Sequence, residues 1–260
     1  MKPLAVVTGA SSGIGRELAG QFADHGFDLV ICAEERALDR AADALRARGA
    51  DVSAVRADLA TYDGVEQLWQ AVVATRRHVA AAALNAGISK GGPFLGNDLA
   101  DEARVIDLNV MSTVHLAWRL LPGMIDAGGG RLLITSSVAS LVPGAYQAVY
   151  NATKAFLQSF AEALRDELKG TGVTVTALLP GATETEFFHR AGLDDTLLGR
   201  SRKDDPALVA AQGYQALMRG RRTVFAGSPR TRARSVAARL VPHRLTVPAY
   251  GRRVRPLPHR

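Results

Sequence analysis

The sequence predicts an α/β fold: a single domain built on a doubly wound parallel sheet. Three observations support this prediction. Short apolar runs alternate along the chain with segments of helical periodicity. The apolar runs are continuous, as expected for strands that are buried on both faces. The first run leads directly into a glycine-rich turn and then a helix, a junction typical of Rossmann-type sheets.

Each strand and helix is predicted from its own pattern. The strands are the apolar runs 4–8, 27–33, 51–56, 79–84, 131–135, 173–179 and 222–226. The helices show apolar residues at helical spacing and occupy 14–25, 36–48, 61–76, 101–127, 147–169 and 206–219. In the first helix Ile14, Leu18 and Phe22 recur every four residues, and the second helix stops at Gly49, a common C-terminal signal. Right-handed crossovers between parallel strands then place helices on both faces of the sheet.

Length and composition exclude several classes of protein. The 260 residues are 47% hydrophobic, enough for one large core. No apolar run reaches 18 residues, and the N-terminus lacks the layout of a signal peptide, so no transmembrane helix or secretion is expected. The single Cys32 excludes an internal disulfide and fits a reducing compartment. We therefore expect a cytoplasmic protein.

The glycine-rich turn after the first strand has the features of a phosphate-binding loop. Gly9 allows a sharp turn, Gly13 lets the backbone approach a pyrophosphate, and Gly15 lets the helix pack closely. The N–H groups at the start of the following helix would then face the phosphates. Because the loop lies at the first strand–helix junction of an alternating chain, it predicts a dinucleotide site.

The motif TGxxxGxG resembles the phosphate loop of the short-chain dehydrogenase/reductase family. Asp58-Leu59, after the third strand, resembles the pair that touches adenine in that family, and Asn85-Ala86-Gly87 resembles its NAG motif. The resemblance covers roughly residues 4–188 and implies an oxidoreductase that binds NAD(P). The cofactor contacts that it implies in this part of the chain are Gly9, Ser11, Ser12, Gly13, Ile14, Gly15, Glu34, Asp58, Leu59, Asn85, Ala86 and Gly87.

Four residues form the expected catalytic set: Asn109, Ser137, Tyr150 and Lys154. Tyr150 and Lys154 lie four residues apart on a predicted helix and so project from one face, whereas Tyr146 is eight residues from Lys154. Carbonyl reduction needs a proton donor beside the oxygen, and alcohol oxidation needs the reverse. The ordinary pKa of tyrosine, about 10, is too high for a base near neutral pH. The Lys154 ammonium and a positive nicotinamide favour tyrosinate, so we expect the pKa of Tyr150 to be lowered.

The resemblance assigns roles to the other members of the set. Ser137 lies thirteen residues before Tyr150, which equals the family's spacing, and its hydroxyl would hydrogen-bond the substrate oxygen. Asn109 matches the family's asparagine that holds a water linking Lys154 to solvent. Lys154 would also bind the ribose hydroxyls, so Tyr150 and Lys154 count among the cofactor contacts as well.

The segment after the sixth strand resembles the family's PGxVxTxF motif, which lines the nicotinamide. In this chain it reads Pro180-Gly181-Ala182-Thr183-Glu184-Thr185-Glu186-Phe187. Thr183 replaces the usual valine, and its backbone could still bond the carboxamide, as could Thr185. We therefore include Pro180, Gly181, Thr183 and Thr185 among the cofactor contacts.

The end of the second strand bears on the choice between NAD and NADP. An acidic residue there accepts hydrogen bonds from the ribose 2′-hydroxyl, and Glu34 is placed to do so. Arg16 or Arg36 could instead hold a 2′-phosphate. The sequence favours NAD over NADP and leaves NADP open.

The substrate is less well specified by the sequence. Largely apolar residues are candidates for the pocket wall, which favours a hydrophobic ketone or secondary alcohol. These candidates are Phe94, Leu95, Leu141, Val142, Gln147, Phe187 and Phe188. No spacing of histidine, cysteine or carboxylate residues predicts a metal site.

The net charge of +7 is unevenly distributed. Residues 206–260 contain 12 arginines and no acidic residue, whereas the rest of the chain is mildly acidic. We predict a catalytic domain at 1–227, with a mobile lid at about 184–205, and an Arg-rich extension at 228–260. The extension could be solvated, pack on a partner or contact an anionic membrane surface. No aromatic residues are interleaved to stack bases, so nucleic acid is not expected.

Two other functions remain open. A catalytically idle nucleotide-binding sensor or scaffold would have the same loop, although this chain keeps both Tyr150 and Lys154. A nucleotide-sugar epimerase or dehydratase resembles this family but carries a larger C-terminal substrate domain. The resemblance further implies a homodimer or homotetramer formed through the two long helices.

Overall fold

The computed structural model describes residues 2–238 and 241–257, except for the side chains of residues 234 and 238. Its strands are β1 (Leu4–Thr8), β2 (Asp28–Ala33), β3 (Val52–Arg56), β4 (Val79–Leu84), β5 (Gly130–Thr135), β6 (Val173–Pro180) and β7 (Thr223–Ala226). Its helices are α1 (Gly13–Asp24), α2 (Ala37–Arg46), α3 (Tyr62–Ala74), α4 (Leu99–Ile106), α5 (Ser112–Asp126), α6 (Ala148–Glu167), α7 (Phe187–Arg190), α8 (Pro206–Met218), α9 (Pro229–Ala238) and α10 (His243–Val254).

The strands form one parallel sheet in the order β3-β2-β1-β4-β5-β6-β7. At its centre Val6 of β1 pairs with Val30 of β2 on one side and with Ala82 of β4 on the other. Helices α3, α5 and α6 pack on one face, and α1, α2 and α8 pack on the other. The predicted Rossmann-type fold is confirmed, because both faces of continuous apolar strands are covered by helices.

The helix predicted at 101–127 is divided in the structure. Helix α4 ends at Ile106, a π-helical turn follows over Asp107–Met111, and α5 then begins at Ser112. Asn109 lies in this turn with its side chain fully buried. π-helical turns are rare insertions that often occur at functional sites, and they have no signature in hydrophobic periodicity.

The C-terminal segment predicted as an extension packs back onto the domain. Residues 239–240 and 258–260 lie outside the described part, but α10 contributes buried Val254 to a cluster with Phe188 and Leu193. The Leu198 N–H donates to the Arg253 carbonyl at 2.8 Å. Helix α10 therefore lies against the predicted lid segment, 184–205.

Two negative observations hold for the described residues only. No helix among residues 2–238 and 241–257 is long and apolar enough to cross a bilayer. Within the same residues, no group of histidine, cysteine and carboxylate side chains is arranged to hold a metal ion.

Candidate active site

A cavity of about 630 Å³ opens at the carboxyl edge of the sheet, where the strand order switches between β1 and β4. Of the predicted site residues, Gly15 and Asn109 do not line it. Those that do are Gly9, Ser11, Ser12, Gly13, Ile14, Glu34, Asp58, Leu59, Asn85, Ala86, Gly87, Ser137, Tyr150, Lys154, Pro180, Gly181, Thr183 and Thr185. We call the part around the loop 9–14 and Glu34 the glycine end, and the part around Ser137 and Tyr150 the tyrosine end.

The glycine end is crowded at each loop glycine. Gly9 has a φ of +67°, a conformation that L side chains rarely adopt. A Cβ on Gly15 would lie 2.1 Å from the Gly9 carbonyl oxygen, and one on Gly13 would lie 2.8 Å from Thr185 Cγ2. The loop thus brings bare backbone and the start of α1 to the cavity wall. This arrangement suits a pyrophosphate, which backbone N–H groups and the helix dipole would hold.

The loop is held against the end of β4 by Thr8. Its hydroxyl accepts hydrogen bonds from the backbone N–H groups of Asn85 and Ala86, at 2.9 and 3.0 Å. The Asn85 side chain in turn accepts from the Thr135 hydroxyl at 3.1 Å. Three neighbouring strand ends are therefore locked together beneath the cavity.

Two carboxylates that directly follow β2 and β3 contact an arginine that the sequence did not indicate. Arg104 of α4 donates to Asp58 at 2.8 Å and to Glu34 at 2.8 Å. Partial burial opposes ionisation of Asp58, but the Arg104 guanidinium and the Ala60 N–H outweigh it and hold the pKa of Asp58 below its usual value. Glu35 bonds both Ser11 and Arg190.

The two arginines considered for NADP lie elsewhere. Arg16 pairs with Glu17, and neither Arg16 nor Arg36 lines the cavity. Arg104 gave no signal in the sequence, because its partners, just after β2 and β3, are 70 and 46 residues away along the chain.

Tyr150, Ser137 and Lys154 meet at the tyrosine end. The Ser137 hydroxyl lies beside Tyr150; its Oγ accepts from the Ala139 N–H at 3.1 Å and donates to the Pro180 carbonyl at 3.5 Å. Lys154 Nζ donates to the Thr135 carbonyl at 3.0 Å and lies 5.8 Å from the centroid of the Tyr150 ring. Because Tyr150 and Lys154 share one face of α6, both side chains reach the cavity.

Lys154 does not lower the pKa of Tyr150 as expected, and the lowering by a positive nicotinamide stays a prediction. Burial raises the pKa of Tyr150, the neighbouring Tyr250 adds to the rise, and the nearby Ser137 hydroxyl opposes it only in part. Burial lowers the pKa of Lys154 to about 8. Both shifts have one physical cause, since a low-dielectric environment disfavours the charged form of either group.

Asn109 lies behind the cavity wall. Its amide donates to the Ile88 carbonyl at 2.9 Å and to the Thr153 hydroxyl at 3.0 Å, and its Oδ1 accepts from the Ile88 N–H at 2.9 Å. A Cβ on Gly87 would lie 3.0 Å from this Oδ1 and 3.2 Å from Lys154 Nζ. The side chain thus braces the turn after β4 beside Lys154, and its role in proton relay stays a prediction.

The segment after β6 closes the cavity from the opposite side. Thr185 faces Gly13, and Thr183 is buried and donates to the Gly181 carbonyl at 3.0 Å. Thr183 also pairs with Asp204, whose carboxylate accepts from the Thr231 hydroxyl at 2.7 Å. These contacts join the motif to the far end of the lid segment and to α9, and the mobility of the lid stays a prediction.

Helix α10 adds a wall that no sequence motif indicated. The Tyr250 hydroxyl lies 2.8 Å from Gln147 Oε1 and 3.2 Å from Asn151 Oδ1. Gln147 also donates to the Ser89 hydroxyl at 2.8 Å. Tyr250 and Arg253 both line the cavity. The last helix therefore completes the tyrosine end.

The predicted substrate wall is right in part. Leu141, Val142, Gln147, Phe187 and Phe188 line the cavity. Phe94 and Leu95 were predicted wrongly, since they lie outside it and are 54% and 95% exposed. They form a short 3-10 turn on the surface. An apolar sequence alone does not distinguish such a surface turn from a segment that lines a pocket.

Comparison with known proteins identifies the family of this arrangement. The family model described as short chain dehydrogenase matches residues 3–195. Sulfoacetaldehyde reductase 2 of Chromohalobacter salexigens is 37% identical over 217 residues, which cover 81% of this chain and 84% of that protein. The 1-deoxy-11-beta-hydroxypentalenate dehydrogenase of Streptomyces exfoliatus is 37% identical over 185 residues, or 70% of this chain and 67% of that protein.

Solved structures show the same architecture. A short chain dehydrogenase/reductase from Burkholderia phymatum in complex with NAD superposes with a TM-score of 0.84 at 27% identity, covering 99% of this chain and 98% of that chain. A short-chain dehydrogenase from Sphingobium yanoikuyae in complex with NADPH has a TM-score of 0.80 at 31% identity, covering 86% of this chain and 87% of that one.

Proposed function

We propose, since this chain belongs to the short chain dehydrogenase family, that it is an NAD(P)-dependent oxidoreductase in which Tyr150 is the general acid and base. It would transfer a hydride between the nicotinamide and a carbonyl or secondary alcohol. The supporting observation is that Ser137, Tyr150 and Lys154 line the same cavity as the glycine loop. A relative that is a reductase and another that is a dehydrogenase support chemistry of this kind.

Each residue of the tyrosine end has a part in this reaction. The nicotinamide, when bound, supplies or accepts the hydride. Tyr150 holds the proton at its hydroxyl and gives it to the carbonyl oxygen, while the Ser137 hydroxyl hydrogen-bonds that oxygen and stabilises its developing charge. The Lys154 ammonium lies below the Tyr150 ring and stabilises the phenolate that remains. The raised pKa of Tyr150 keeps the phenol protonated, which is the form that carbonyl reduction requires.

NAD is the proposed cofactor. Glu34 lies in the cavity wall at the end of β2, where its carboxylate can accept from ribose hydroxyls and would repel a 2′-phosphate. The solved relatives include complexes with NAD and with NADPH, so they support nicotinamide use without choosing between the two. Apolar side chains of Leu141, Val142 and Phe187 favour a substrate with an apolar body.

A homo-oligomer formed through α5 and α6 is the proposed assembly. These long helices expose large apolar side chains, with Trp118 67% and Phe156 45% exposed. Exposed aromatic residues of this size are typical of interfaces. Light scattering should give at least twice the chain mass, and Trp118→Glu should lower it, whereas a monomeric wild-type chain would contradict the assembly.

The decisive test of the reaction is a panel of carbonyl compounds with NADH and NADPH, followed by cofactor absorbance. Tyr150→Phe should lower kcat by about 10³-fold and leave cofactor binding intact, because only the transferable proton is removed. Tyr146→Phe is the matched control, since that side chain lies outside the cavity wall. Undiminished turnover in Tyr150→Phe would refute the catalytic role. Cofactor binding without turnover of any compound would favour the idle sensor or scaffold.

A further inference from the structure

Most charged side chains in the cavity wall form ion pairs with one another. Among the wall residues that the structure describes, every carboxylate except Glu186 forms an ion pair with a cationic side chain. The pairs are Lys90 with Asp101, Arg104 with Asp58 and Glu34, and Arg190 with Glu35. A ligand entering the cavity therefore meets few free charges at these positions.

Arg202 and Arg253 differ from these paired residues. Both line the cavity, yet neither forms an ion pair or a side-chain hydrogen bond with any part of the chain that the structure describes. Lys154 is also unpaired, but its ammonium donates to the Thr135 carbonyl beside Tyr150. Among the described wall residues, Arg202 and Arg253 are thus the cations, besides the catalytic lysine, that have no carboxylate partner.

Arg253 lies close to the tyrosine end. It follows Tyr250 by three residues on α10, so the two side chains lie on one face about 4.5 Å apart along the helix axis. Tyr250 bonds Gln147, which directly precedes α6, and Asn151, which follows Tyr150 on that helix. The Arg253 guanidinium also acts on the pKa of Tyr250, which places its charge near that hydroxyl.

The lid segment connects Arg202 to Arg253. The Leu198 N–H donates to the Arg253 carbonyl at 2.8 Å, and the Leu198 carbonyl accepts from the Ser201 hydroxyl at 2.7 Å. Arg202 directly follows Ser201. The two arginines therefore approach the cavity from two segments that a backbone hydrogen bond joins.

We propose that Arg253 and Arg202 bind an anionic group of the substrate, a carboxylate, sulfonate or phosphate, while its carbonyl faces Tyr150. This inference rests on the proposed hydride transfer. Guanidinium groups hold such oxyanions through paired N–H donors, and free partners are needed for that contact. The apolar side chains of Leu141, Val142 and Phe187 would then contact the part of the substrate between its two polar ends.

Matched pairs of substrates test the anion site. The pairs are 4-formylbenzoate with its methyl ester and 4-oxobutanoate with its methyl ester, and 4-formylbenzenesulfonate and 4-formylphenyl phosphate identify the preferred anion. We expect kcat/KM to be at least about tenfold higher for the anion of a pair, mainly through KM, because the contact lies away from the reacting carbonyl. Arg253→Gln and Arg202→Gln should each reduce this preference severalfold and leave the esters unchanged.

Arg252→Gln is the matched control for these variants. Arg252 is the neighbouring arginine on α10, is exposed and lies outside the cavity wall, so its loss should leave the preference unchanged. Equal use of acids and esters by the wild-type chain would overturn the inference, and so would a preference that both cavity variants retain. Weakened NADH binding in Arg253→Gln, with the preference intact, would assign the residue to the cofactor and also overturn it.

A binding measurement separates this inference from the proposed reaction. Isothermal titration calorimetry compares benzoate with benzamide on the wild-type chain and on Arg253→Gln. Benzoate binding that depends on Arg253, without turnover of any aldehyde, would refute the hydride transfer and support the anion site. Turnover of the aldehydes without any selective binding of benzoate would support the reaction and refute the anion site.

Discussion

The two ends of the cavity are built in different ways. The glycine end consists of strand ends and one loop, and its parts lie close together in the chain or on neighbouring strands. The tyrosine end is assembled from α6, the lid segment and α10, so Tyr250 contacts residues 99 and 103 positions before it. The glycine end therefore depends on backbone shape, whereas the tyrosine end depends on packing between distant segments.

Charge also separates the two ends. At the glycine end Arg104 forms ion pairs with both Glu34 and Asp58, so the charged groups hold one another in place. At the tyrosine end two arginines are unpaired, Tyr150 is buried and Tyr250 is partly buried. The charged groups of the glycine end are therefore engaged with one another, whereas the two arginines of the tyrosine end are available to contact a substrate.

The largest expected effect tests the dependence of the glycine end on bare backbone. Gly15→Ala places a Cβ 2.1 Å from the Gly9 carbonyl oxygen, a backbone atom that cannot rotate away. We expect a loss of about 3 kcal/mol in the free energy of unfolding and at least about a 100-fold loss in NADH affinity. Urea unfolding and fluorescence titration measure these two quantities.

Gly123→Ala is the control for that variant. Gly123 lies in α5 with no atom within 4 Å of the added Cβ, so the change should stabilise the helix by about 0.5–1 kcal/mol. Equal effects of the two substitutions would mean that crowding at the loop does not determine the glycine end.

The second prediction uses the burial of Lys154 at the tyrosine end. Folding lowers the pKa of Lys154 from 10.5 to about 8, so the unfolded chain binds more protons between these values and stability rises with pH there. From about pH 7.5 to about pH 9.5 the wild-type chain should gain about 2 kcal/mol relative to Lys154→Met. Urea unfolding at both pH values measures the difference, and parallel pH profiles would disprove the buried titration.

Tyr250→Phe tests whether α10 belongs to the active site. Removing the hydroxyl leaves Gln147 and Asn151 without a buried donor, which costs about 1–2 kcal/mol. We expect about a tenfold loss in kcat/KM with unchanged NADH affinity, because the glycine end is not touched. A variant with wild-type kinetics would show that α10 only covers the surface.

The smallest effect concerns the choice of cofactor. Glu34→Gln removes the negative charge at the end of β2, and we expect the preference for NADH over NADPH in kcat/KM to fall about fivefold. Asp39→Asn removes the same charge from an exposed position on α2 outside the cavity wall and serves as the control. A preference that Glu34→Gln leaves unaltered would assign cofactor choice to another residue.

Much of the glycine end could be predicted from the sequence. Its motif residues lie at strand ends, and parallel strands bring their carboxyl ends to one edge whatever the details of packing. The spacing of Tyr150 and Lys154 is similarly informative, because four residues along a helix place two side chains on one face. The π-helical turn around Asn109 was not predicted, because such turns have no signature in hydrophobic periodicity, and the contact of Asn109 with Ile88 joins residues 21 positions apart.

The sequence by itself determined the doubly wound sheet, the glycine loop and the tyrosine–lysine pair, since each follows from local periodicity and spacing. Only the tertiary structure decided that Arg104 pairs with Glu34 and Asp58, that α10 brings Tyr250 and Arg253 to the cavity, and that the pKa of Tyr150 is raised. Ion pairing, wall formation and burial depend on segments that are far apart in the chain. Their strength is set by the surrounding packing and dielectric, which no local pattern of residues encodes.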